Sequence, residues 1–165
     1  MTSKSKKAKK GMNILVLNCG SSSLKFQIID TDLKKIESNS DEQKARGLVE
    51  RIGGQSIVTL NAIGKKQVKQ TLPLRDHRSA LDYVLRWMIA PETGIPGIRS
   101  LADINAVGHR VVHGAERFKK SVLIDEDVIK GIEDCIDLAP LHNPANLKGI
   151  NAARELFGSG VPQVA

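Results

Sequence analysis

Aromatic residues are scarce, with one Trp, one Tyr and three Phe making up 3% of the chain. A core must therefore be assembled mainly from Val, Ile, Leu and Ala. No apolar run approaches the roughly 18 residues that cross a bilayer, and the charged N-terminus has no apolar segment of the kind a secretory signal needs. Neither a membrane protein nor a secreted one is expected. Cysteine is limited to Cys19 and Cys135, far apart and without CxxC spacing. That excludes a disulfide scaffold and fits free thiols in a reducing, cytoplasmic compartment. Acidic residues are missing from residues 1–10, where Lys4, Lys6, Lys7, Lys9 and Lys10 supply five of the seven net positive charges. A Lys/Ser/Ala run cannot bury surface, so residues 1–11 are expected to form a disordered tail. A nucleic-acid partner would depend on that tail alone, would show salt-sensitive binding lost on its removal, and has no base-reading motif in support. None is expected.

The 165 residues fit one domain, large enough to bury about 70% of the surface exposed on unfolding. Folded structure should begin near Met12. Residues 13–17 form a β-branched and leucine run too short for a helix, closed by a turn at 18–23. Residues 24–29 alternate and read as a second, antiparallel strand. Residues 31–45 are polar and read as a loop, a short helix is possible over 45–51, and 56–62 with 66–72 make a hairpin across Gly64-Lys65. Asp76 is placed to cap a helix running to about Ile89, with Leu81, Val84, Leu85 and Met88 as its apolar stripe and Pro91 and Gly94 beyond its end. Residues 104–112 read as a strand buried on both faces. Asp125 should cap a helix to about Leu138, and Asn143 should cap another, with Pro144 at its first helical position, that stops at Gly158. Residues 161–165 look like one more strand. This order predicts a mixed sheet with helices covering it.

Three segments carry unusual residues for their positions. In the first, Gly20 permits a tight turn and Ser21, Ser22 and Ser23 offer hydroxyls and N–H groups to an anion, with Lys25 as a following point charge. It lacks the GxxxxGK spacing of a Walker A loop, and such a turn between strands is by itself more often a plain hairpin. In the second, Gly108-His109-Arg110-Val111-Val112-His113-Gly114, strand alternation puts Arg110 and Val112 on one face and the histidines on the other. Arg110 can grip a carboxylate or phosphate through two hydrogen bonds, or serve a structural ion pair. A metal site at His109 and His113 lacks further ligands at suitable spacing. In the third, two prolines fix the chain around His142 at the positive end of the helix near Asn143. His142 could donate to a phosphoryl oxygen or simply cap the helix.

Together these segments resemble the acetate and propionate kinases. Residues 15–25, 104–114 and 138–144 are similar to three signatures of that family, and the likeness runs from about Met12 to Ala165. Three ordered motifs are far more specific than any one of them. The resemblance implies an α/β fold: a ribonuclease-H-like mixed sheet with flanking helices, as in the sugar-kinase and actin superfamily, forming one of two domains facing across a cleft. It also implies reversible phosphoryl transfer from ATP to acetate, giving acetyl phosphate and ADP, with Mg2+. On the same basis Asn18 lies near the metal, while Ser21, Ser23 and Lys25 line the nucleotide phosphates. Arg110 holds the substrate carboxylate or acetyl phosphate, Val112 and Leu141 form an apolar pocket for the methyl group, and His142 contacts the transferred phosphoryl group. Arg110 and His142 would thus be catalytic, whereas Cys19 has no role. The partners implied are small molecules, with a homodimer when full length. Residues 12–165 would be an N-terminal domain stopping just before a segment that carries a catalytic aspartate in the family, so negligible turnover is expected of this chain alone. A propionate-preferring kinase is a close rival, because one methylene is worth only about 1–3 kcal/mol of discrimination. A non-catalytic fragment that binds acyl phosphate or a partner is the alternative of another class.

Overall fold

The computed structural model describes residues 11–165. The lysine-rich tail expected at 1–11 lies, apart from Gly11, outside the described residues. Seven strands form a single sheet: β1 (Met12–Gly20), β2 (Ser23–Thr31), β3 (Glu42–Glu50), β4 (Gly54–Ala62), β5 (Val68–Leu74), β6 (Ala106–His109) and β7 (Gln163–Val164). Their order is β5-β4-β3-β2-β1-β6-β7. The first five pair antiparallel, whereas β6 runs parallel to β1 and β7 parallel to β6. Parallel neighbours need crossovers. Helix α2 (His77–Ile89) lies between β5 and β6, and α3 (Glu126–Glu133) and α4 (Asn143–Phe157) lie between β6 and β7. The mixed sheet with helices agrees with the expectation.

One face of the sheet is the core. Leu15, Leu17 and Cys19 of β1, Leu24, Phe26 and Ile28 of β2, and Val58 and Leu60 of β4 are buried beneath Leu81, Val84 and Met88 of α2 and Ala152 and Ala153 of α4. The predicted stripe of α2 is this buried face, and its start is held by a capping box between Asp76 and Ser79. Among the described residues the few aromatics form one ring pair, Phe26 edge-on to Trp87 with centroids 6.1 Å apart. On the opposite face Val16, Asn18, Lys25, Gln27 and Arg46 stay half-buried or exposed. A second apolar cluster joins Val128, Ile129 and Ile132 of α3 to Leu147 and Ile150 of α4.

Four local expectations are corrected. The 31–45 loop contains α1 (Leu33–Ser38), opened by Asp32, whose side chain accepts from the Lys35 N–H, and closed by Asn39 at φ 51°. The helix considered over 45–51 is strand β3. Ala45 and Val49 suggest helical spacing, but the inward residue between them is Gly47, which hides the period of two. Gly47 faces Phe26 across the ladder, and a Cβ there would sit 2.4 Å from the Phe26 ring. Strand β6 ends at His109 instead of Val112. The Arg110 N–H makes the last ladder bond, to the Leu17 carbonyl at 2.9 Å, after which side-chain amides of α4 take over the backbone. The helix expected to reach Leu138 breaks after Glu133 and resumes as a 3-10 turn at Ile136–Leu138.

Candidate functional site

The three motif segments meet at one end of the sheet. Asn18 and Lys25 are cross-strand partners in β1 and β2. Leu17 and His109 are register partners in β1 and β6, so Arg110 comes immediately beside Asn18. Two buried asparagines on α4 join the third segment to these. Asn146, 3% exposed, accepts from the Val112 N–H at 3.1 Å and donates to the Cys19 carbonyl at 2.8 Å. Asn143, fully buried, accepts from the His113 N–H at 3.2 Å and donates to the His113 carbonyl at 2.9 Å. A carboxamide suits this task because it offers donor and acceptor together. With its side chain so engaged, Asn143 is the first helical residue and not the cap; the cap position falls to His142, and Pro144 sits in the first turn.

The serine turn is tied down from three directions. The Cys19 carbonyl takes Asn146, the Gly20 carbonyl lies 2.6 Å from His77 Nε2, and the Ser22 carbonyl accepts from the Ile52 N–H at 2.9 Å. Ser21 and Ser22 are exposed and Ser23 is half-buried. Gly20 does not take a positive φ. A Cβ at Gly20 would lie 2.7 Å from Ser23 Oγ, a contact that turning the serine hydroxyl relieves.

Arg110 is exposed and, among the described residues, forms no ion pair, so the structural-pair alternative is not realised. It lines a cleft of about 460 Å³ with His109, Val111, Phe118, Lys119, Lys120 and Ser121, and no acidic residue lines it. Three cations around one concavity concentrate anions. His109 is buried, with Nε2 2.7 Å from Gln163 Oε1. Burial disfavours its charged form and lowers its pKa to about 4, so its ring is neutral at pH 7. His113 is exposed and its Nδ1 accepts from the Ala115 N–H at 2.9 Å. Among the described residues no group of three His, Cys, Asp or Glu converges on a point.

His142 makes no capping hydrogen bond through its ring, which stands exposed beside the motif segments. Val112 is 38% exposed and Leu141 77%, so neither is enclosed in a cavity here. Lys25 sits apart from the Arg110 cleft, on a shallow groove of about 260 Å³ with Gln27, Arg46 and Thr59. Asn18 contributes one neutral amide oxygen. Magnesium usually takes one or two carboxylates with phosphate oxygens and water, so this chain's donors do not hold the ion by themselves. Burial pushes the Cys19 thiol up to about 12, consistent with a packing role and no chemistry.

Sequence reasoning passed over His77 and Asn146. Both left a signal: a polar residue on the apolar stripe of an amphipathic helix, His77 ahead of Leu81 and Val84, and Asn146 between Asn143 and Ile150. Buried polar groups of that kind require partners.

Known proteins share this fold. The family model described as "Acetokinase family" matches residues 13–165. An acetate kinase from Solibacter usitatus is 61% identical over 154 residues, covering 93% of this chain and 37% of that protein. The crystal structure of Porphyromonas gingivalis acetate kinase superposes with a TM-score of 0.83 at 39% identity, covering 93% of this chain and 36% of that one. A propionate kinase from Francisella tularensis gives a TM-score of 0.77 at 36% identity, with the same coverage. The chain thus spans little more than a third of the length of these relatives, and its sheet is one of the two ribonuclease-H-like domains of the sugar-kinase and actin superfamily. On the match over residues 13–165 and these identities, the chain belongs to the acetokinase family.

Proposed function

We propose that this chain supplies the acyl-substrate side of an acetate kinase, which moves the γ-phosphoryl group of ATP to acetate and returns it from acetyl phosphate to ADP. Arg110 grips the carboxylate or acyl phosphate, and Val112 and Leu141 face the methyl group. His142 donates to the moving phosphoryl oxygens, and Ser21, Ser23 and Lys25 take the nucleotide phosphates. Asn18 would offer one neutral oxygen toward a magnesium ion whose remaining ligands the nucleotide phosphates and water would supply. Phosphoryl transfer asks a protein mainly for positioning and neutralisation of charge, and acetate is already ionised at neutral pH, so no strong base is required. The observation that carries this reading is the stitching of the three motifs by Asn143 and Asn146, which brings cationic and hydrogen-bond-donating groups to one end of the sheet. The likeness to a propionate kinase supports a second acyl preference for the same site. When full length, the protein would act as a homodimer on small molecules.

Titration of acetyl phosphate into the chain tests the proposal. Saturable binding is expected without ATP turnover, since the chain spans little more than a third of its relatives. Arg110→Lys should weaken binding about tenfold or more, because lysine cannot reproduce the two-bond grip. Binding that is unchanged by Arg110→Lys, or absent altogether, overturns the assignment.

A further inference from the structure

We propose that His77 is a positioning residue for phosphate: by holding the Gly20 carbonyl inward, it turns the Ser21 N–H outward as a donor to the anion. His77 is the first residue of α2, 5% exposed, with Nε2 2.6 Å from the Gly20 oxygen. A carbonyl oxygen only accepts, so Nε2 carries the proton and the tautomer is set by this contact. The peptide joining Gly20 to Ser21 is trans, and in a planar trans peptide the C=O and the following N–H point in opposite directions. Drawing the oxygen into the core therefore aims the Ser21 amide away from it, where Ser21 is exposed.

Gly20 closes the hairpin ladder opposite Ser23, and His77 adds a side-chain anchor to the same peptide. Gly20 has no Cβ to restrict rotation of its backbone, and a flip would present a carbonyl oxygen where a phosphate requires an N–H. The flanking carbonyls are held in the same manner, Cys19 by Asn146 and Ser22 by the Ile52 N–H. With all three occupied by donors from α4, α2 and the β3–β4 turn, the bend is left to present its donors. The capping box of Asp76 and Ser79 fixes the start of α2 and hence the place of the ring.

The inference rests on the phosphate-binding reading of the serine turn, and the test separates the two. Inorganic tripolyphosphate and acetyl phosphate are titrated separately into 15N-labelled chain, with the Ser21 amide signal followed. Tripolyphosphate should shift Ser21 saturably. His77→Ala should raise its dissociation constant about tenfold, the loss of one hydrogen bond to a charged group, while acetyl phosphate affinity changes less than about twofold on that scale. His77→Gln, which keeps a donor of similar reach, should restore tripolyphosphate binding. A merely structural role would weaken both ligands together, and that result overturns the proposal, as does tripolyphosphate affinity unchanged in His77→Ala. Should His77→Ala not fold, His77→Gln and the ring 15N shifts of the unsubstituted chain decide: an Nδ1–H tautomer, or loss of binding in the glutamine variant, refutes it. No binding of tripolyphosphate by the unsubstituted chain removes the phosphate reading of the turn itself, and this inference with it.

Discussion

Replacing Asn146 by leucine keeps roughly the same volume and deletes both ends of the bridge between the motif segments. The Cys19 carbonyl loses its 2.8 Å donor in a buried setting, and the Val112 N–H loses its 3.1 Å acceptor in a partly buried one. A buried group left unpaired costs about 1–3 kcal/mol, and one that water can reach costs less. The sum for Asn146→Leu is about 2–4 kcal/mol. With a urea slope of about 2 kcal/mol per molar, the unfolding midpoint should fall by about 1–2 M at unchanged slope. Asn146→Asp separates the two ends, since it keeps an acceptor for Val112 but sets a second oxygen against the Cys19 carbonyl. It should be at least as destabilised, by desolvated charge and by repulsion. Gln43→Ala, which removes a 3.0 Å bond to Gln27 on the exposed surface, should stay within about 0.5 kcal/mol. Amide exchange at Val112 should quicken in both Asn146 variants. If Asn146→Leu unfolds at the same urea concentration as the surface control, the asparagine is not what joins the helix to the strand ends.

Two further outcomes are expected. Gly149→Ala would set a Cβ 2.4 Å from Cys19 Sγ, forcing α4 off β1 at a cost of about 1–3 kcal/mol. Thermal unfolding should recover when Cys19→Ala is added, and failure to recover would locate the strain elsewhere. For His109, burial lowers the folded pKa from 6.5 to about 4. The unfolded chain therefore takes up the proton first, and the contribution, complete above about pH 6.5, is lost as pH falls toward 4, on the order of 3 kcal/mol. His109→Gln should flatten that part of the urea-midpoint profile between pH 7 and 4; equal losses in both proteins would show that the ring protonates freely when folded.

Much of the fold was legible because its signals are local. Asp76 and Asp125 cap helices three residues from the N–H groups they serve, Gly158 closes α4, and the apolar stripe of α2 keeps helical spacing. The family likeness was legible too, since its three motifs are short and ordered. Where one inward position of a strand is a glycine, as at Gly47, the alternation disappears from the sequence, and only the ring of Phe26 in the neighbouring strand explains the gap. Strand β6 likewise ends at His109 because α4 supplies hydrogen-bond partners to Val112 and His113, and no residue within the strand announces it.

Sequence alone therefore determined which chemical groups this chain carries, in what order, and most of the elements that bear them, because propensity, capping and turn formation act over a few residues. Tertiary structure decided which groups are free and which are held. Arg110 and His142 stand exposed beside their motifs, His109 is withdrawn and neutral, and His77 and Asn146 grip the serine turn from 57 and 127 residues away. Those assignments come from desolvation and from hydrogen bonds between distant segments, which exist only once the sheet and helices have packed.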